Sequence, residues 1–75
     1  MPATEPALRK FGANVRAIRE KREFSQEKLA ELADLDRTYI SGVERGVRNL
    51  SLLSALRLAK ALKTSVSHLC TGIES

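Results

Sequence analysis

Along most of the chain the apolar residues return at helical spacing. Leu8, Phe11, Val15 and Ile18 are separated by three, four and three positions, which draws a stripe down one side of an amphipathic helix. The pattern predicts a first helix from Ala7 to about Arg22, with Pro6 suited to its start and residues 1–6 left as a flexible tail. Glu23-Phe24-Ser25 makes a joint, in which Phe24 turns into the core and Ser25 caps a second helix, Gln26–Ala33. Leu29, Ala30, Leu32 and Ala33 supply the buried side of that helix, and Leu35 fills the turn behind it. Asp34 ends it in the left-handed conformation that glycine adopts best.

Asp36 caps a third helix, Arg37 to about Glu44, whose apolar and polar positions separate. Ile40 and Val43 share one face. At ~100° per residue, Arg37, Thr38, Ser41 and Arg45 fall within one arc on the other. A helix anchored on one side and offering Arg, Thr and Ser on the other can lie in a DNA major groove, with the preceding helix and turn behind it. Gly42 weakens this helix by roughly 1 kcal/mol relative to Ala. Either it lets the backbone approach DNA or it is simply tolerated. Gly46 stops the helix, and Val47-Arg48-Asn49-Leu50 is a loop with a basic tip.

Ser51 caps a fourth helix through Leu62, carrying Leu52, Leu53, Leu56, Ala59 and Leu62. Ala55, Leu58 and Ala61 widen its apolar arc beyond what a half-exposed helix needs. It is therefore central to the core or covered by a partner. A last short helix, Val66 to about Thr71, follows Ser65. The whole reads as one all-α domain, residues 7–75, of five short helices.

Composition narrows the function classes. Seventy-five residues make one small domain with a modest core. Phe11, Phe24 and Tyr39 are its aromatics, too few for a typical sheet. The formal net charge of +4 favours a polyanionic partner, though weakly. One His, one Cys and the lack of a metal-ligand cluster, nucleophile–base pair or phosphate-cradling Gly loop argue against an enzyme. No metal or cofactor is expected. Cys70 reads as a small apolar filler in a reducing cytoplasm. No apolar run approaches the ~18 residues of a membrane span, so the expected location is cytoplasmic.

The stretch Gln26 to Arg45, with Gly46 behind it, resembles the helix-turn-helix of the phage-repressor/Cro (XRE-type) family, whose domains share the lambda-repressor-like five-helix fold. Gln26 with Leu29-Ala30, then Leu35, Ile40, Val43 and Glu44-Arg45-Gly46, carry the likeness. Leu35 to Leu52 is further similar to the controller proteins of restriction–modification systems, small dimeric regulators without a ligand domain. Asp34 and Glu23 depart from the pattern, since many members have Gly there.

Matching positions imply roles. Arg37 and Thr38 would face bases, and Tyr39 and Ser41 would reach phosphate or a base edge. Gln26 would hold a phosphate at the N-terminus of its helix. Arg48 and Asn49 would touch DNA from the loop, with Arg45 as a further phosphate contact. Arg19 and Glu44 match a pair that ties the first helix to the third, fixing its angle while adding little stability. The chemistry agrees for Arg37, whose planar fork matches guanine O6 and N7 with ~1–3 kcal/mol of discrimination. The plainer reading is a surface Arg that touches only phosphate.

One such helix reads a few base pairs, so selectivity needs a homodimer on an operator of two-fold or pseudo-two-fold symmetry. Val66, Leu69 and Ile73, with the surplus arc of the fourth helix, are the expected dimer surface; the plainer reading has them complete the monomer's core. An activator would also contact RNA polymerase, but acidic residues such as Glu44 and Asp34 are too common to mark a surface. The alternative is an antitoxin-like protein-binding module on the same fold.

Overall fold

The computed structural model describes residues 5–73, and its helices begin where the local sequence can satisfy their unpaired N–H groups. Helix α1 (Pro6–Lys21) opens on Pro6, whose fixed φ suits a first turn and whose missing N–H is no loss there. The other four, α2 (Gln26–Ala33), α3 (Arg37–Arg45), α4 (Leu52–Ala61) and α5 (Val66–Leu69), each follow a short oxygen-bearing side chain. Ser25, Asp36, Ser51 and Ser65 accept from the backbone N–H of Lys28, Thr38, Ser54 and His68 at 2.9, 3.0, 3.1 and 2.9 Å. Each cap of this kind contributes about 1 kcal/mol.

Residues 1–4 of the expected tail lie outside the described residues. Pro6, placed in that tail by the sequence, is already the first residue of α1. Helix α3 runs one residue further than expected, to Arg45, and α5 is a single turn extended by hydrogen-bonded turns to Thr71. Glu23, Asp34 and Lys63 take positive φ, at 61°, 58° and 57°, so the chain turns left-handed behind three helices without glycine.

The helices form a closed ring of neighbours: α1 packs on α3 and α5, α2 on α3 and α4, and α4 on α5. Leu29, Ile40, Val43, Leu58, Leu62 and Leu69 fill the middle with Phe11 and Val15. Phe24, Leu35, Tyr39 and Cys70 pack against that core from its edge. Asn14 Nδ2 donates to the carbonyls of Leu69 and Thr71 at 2.8 and 2.9 Å, which holds α5 onto α1.

Two apolar assignments change. Leu32 is 47% exposed rather than buried. It sits roughly 100° around α2 from the centre of the Leu29, Ala30 and Ala33 arc, and α3 and α4 cover only that arc. The broad apolar arc of α4 splits: Ala55, Leu58, Ala59 and Leu62 are buried, whereas Leu52, Leu53 and Leu56 are 70%, 58% and 50% exposed.

Candidate nucleic-acid interface

The geometry of the candidate face starts in the turn between α2 and α3. Asp34 adopts φ 58° and ψ 47°, which lets the Leu35 N–H reach back to the Ala30 carbonyl at 2.9 Å. Asp36 then starts α3 through its bond to the Thr38 N–H. A three-residue turn thus satisfies the end of one helix and the beginning of the next.

Helix α3 is held by its apolar side. Ile40 and Val43 are essentially fully buried, while Arg37, Thr38 and Arg45 are exposed and Ser41 and Tyr39 half-buried. Arg37, Ser41 and Arg45 recur every fourth residue and form one outward line; the Arg45 side chain also reaches back to the Ser41 carbonyl at 3.4 Å. Arg48 and Asn49 are exposed in the following loop. The fold brings both to the same shallow groove as Thr38 and Tyr39, between the α2–α3 turn and the start of α4. Two carboxylates, Asp34 and Asp36, share the rim of that groove, and Asp36 is committed to the helix cap.

The C-terminal end of α3 is fixed by an ion pair. Arg19 Nε donates to Glu44 Oε2 at 2.6 Å and Nη2 to Oε1 at 3.0 Å, a two-point fork. Nη1 of the same guanidinium donates to the Phe24 carbonyl at 2.8 Å. The side chains are 11% and 3% exposed. Donating to the Glu44 carboxylate raises the Arg19 pKa, outweighing the opposing effect of burial. Glu44, half of this pair and enclosed, is not available as an acidic surface for polymerase. Gln26 Nε2 also donates to Glu44 Oε1, at 3.1 Å. One amide hydrogen thereby orients Gln26 in the first turn of α2, where a helix leaves N–H groups without intrahelical partners.

One of the three expected dimer residues needs correction. Leu69 is fully buried in the monomer's own core, and Val66 and Ile73 are half-buried against it. Leu69 therefore cannot be offered to a second chain; α5 is so short that its one inward position must face α4 and α1. The outward aliphatics of α4 are Leu52, Leu53 and Leu56, and Leu32 of α2 and Val47 of the loop after α3 are exposed as well. The three leucines of α4 belong to its broad apolar arc, whose width in the sequence does not distinguish the surplus part from the core. Asn14 and the role of Gln26 at Glu44 were also missed, because a polar side chain's partner across the fold leaves no mark in local spacing.

Comparison with known proteins follows the same lines. The helix-turn-helix family profile matches residues 15–69. Control protein C.SmaI of Serratia marcescens is 53% identical over 58 residues, covering 77% of this chain and 69% of that one. The crystal structure of the restriction–modification controller protein C.AhdI from Aeromonas hydrophila matches with a TM-score of 0.81 at 50% identity, over 83% of this chain and 94% of the other. Controller protein C.Esp1396I, solved as a tetramer in complex with its natural 35 base-pair operator, gives 0.80 at 38% identity, over 87% and 86%.

Proposed function

The chain belongs to the helix-turn-helix family, among the restriction–modification control proteins, and from that membership we propose that it is a sequence-specific, dimeric transcriptional regulator reading a two-fold operator. One observation carries the reading at the level of residues. Helix α3 is locked to the core through Ile40 and Val43, and its open side places Thr38 and Tyr39 in one groove with Arg48 and Asn49. In this reading Arg37 and Thr38 meet base edges in the major groove. Ser41, Tyr39, Arg45, Asn49 and the α2 N-terminus at Gln26 hold the backbone on either side. Arg19 and Glu44 set the angle at which α3 enters.

Two copies give two recognition helices. Leu52, Leu53 and Leu56 form an outward aliphatic face on α4, and a symmetric pairing of that face would bury it against itself. The tetramer of C.Esp1396I on its operator supports assembly on DNA. Leu53→Glu should leave the fold intact and shift sedimentation to the monomer; an unchanged profile would exclude this interface. The same face is what an antitoxin-like reading would use for a foreign partner, but that reading has no use for the polar side of α3.

Selection from random duplexes, followed by gel shifts over a salt series, tests the regulator. Enrichment of a symmetric site, with affinity falling steeply as salt rises, is the expected result. Absence of any DNA binding at low salt would sink it.

A further inference from the structure

Gly42 sits mid-helix in α3, where glycine is the poorest helix former short of proline. Its backbone is ordinary helix: it is absent from the positive-φ glycines, so conformational freedom does not explain it. It is nonetheless buried, and what covers it is the side chain of Arg48. A Cβ built on Gly42 would lie 2.5 Å from Arg48 Cγ, 3.2 Å from Nε and 3.4 Å from Cδ. Beyond that stem, the Arg48 guanidinium carbon stands 5.6 Å from the centroid of the Tyr39 ring. Tyr39 and Gly42 are three residues apart and so share a face of the helix.

The loop is built to bring Arg48 there. Gly46 turns left-handed at φ 77°, and the Val47 N–H returns to the Gly42 carbonyl at 3.0 Å. The chain thus doubles back along α3. Because the closest atom is Cγ, near the root of the side chain, rotating the outer torsions cannot relieve the clash.

We propose that Gly42 is a positioning residue for Arg48. The missing Cβ opens a slot across α3 in which the arginine stem lies, with its charged head stacked on Tyr39. The loop arginine is thereby ordered before any DNA arrives. This rests on the DNA-binding reading above and extends it: a free, rotamer-rich arginine would have to be immobilised on binding, whereas this one is already held.

The test uses Gly42→Ala, Arg48→Ala and the double variant in the full chain. Gly42→Ala should be at least as heat-stable as the parent, since alanine favours the helix. It should bind the selected operator roughly 3–10-fold more weakly. In the Arg48→Ala background, where the slot is empty, the same substitution should change affinity less than about 2-fold. In proton NMR of the free protein, the upfield ring-current shift of the Arg48 side-chain protons should vanish in Gly42→Ala. An unchanged shift, or an equal loss of affinity in both backgrounds, would overturn the assignment. Should the parent bind no duplex, the regulator reading fails, and the NMR result still decides the role of Gly42.

Discussion

Replacing Glu44 by alanine should cost this domain about 3 kcal/mol of folding free energy. Exposed ion pairs contribute at most about 1 kcal/mol, but Arg19 and Glu44 are only 11% and 3% exposed. The carboxylate accepts three hydrogen bonds, two from Arg19 and one from Gln26. Removing one partner of a buried pair costs about 3–5 kcal/mol, because the other charge stays enclosed. The low end applies here, since Arg19 keeps its bond to the Phe24 carbonyl and some contact with water. A domain of this length holds on the order of 4–11 kcal/mol in total, so the variant would sit near the edge of folding. The loss should appear in urea titrations followed by helical circular dichroism, as a lower midpoint at unchanged slope. It should also lower the melting temperature by roughly 12–24 °C. Arg19→Met with Glu44→Leu should return to within about 1 kcal/mol of the parent, because an apolar pair has no desolvation to overcome. A single-variant cost below about 1 kcal/mol, or a double variant no better than Glu44→Ala, would show that water screens this pair. The sequence expectation of little net stability and the cost of breaking the pair are compatible: the first compares the pair with an apolar pair, the second with an orphaned charge.

Other substitutions probe separate links. A Cβ at Gly12 would run into the backbone carbonyl oxygens of Val43 and Glu44. Gly12→Ala should therefore push α1 from α3 and cost about 1–3 kcal/mol in the same titration; a neutral result would mean the two helices can slide apart freely. Lys63→Gly should gain about 1 kcal/mol by relieving a left-handed residue behind α4, and loss of stability would contradict that account. Arg37→Ala should weaken operator binding by ~1–3 kcal/mol and relax selectivity at one position per half-site. Equal loss on operator and scrambled DNA, measured by competition gel shift, would reassign it to phosphate.

Local chemistry alone determined a great deal about this chain. Ser25, Asp36, Ser51 and Ser65 announce helix starts because a cap acts within three residues of itself, and the stripe of Phe11 and Val15 follows from the helical period. The polar arc of Arg37, Thr38, Ser41 and Arg45 was legible for the same reason. Only the tertiary structure decided which apolar positions are spare, because that depends on which neighbours come close. It buried Leu69 beneath α4 and α1, exposed Leu32, and turned Leu52, Leu53 and Leu56 outward. The closure of Gln26 onto Glu44, and of Arg48 onto Gly42 and Tyr39, was likewise beyond local pattern. Such contacts join side chains whose spacing carries no period, and they exist only once the ring of helices has closed.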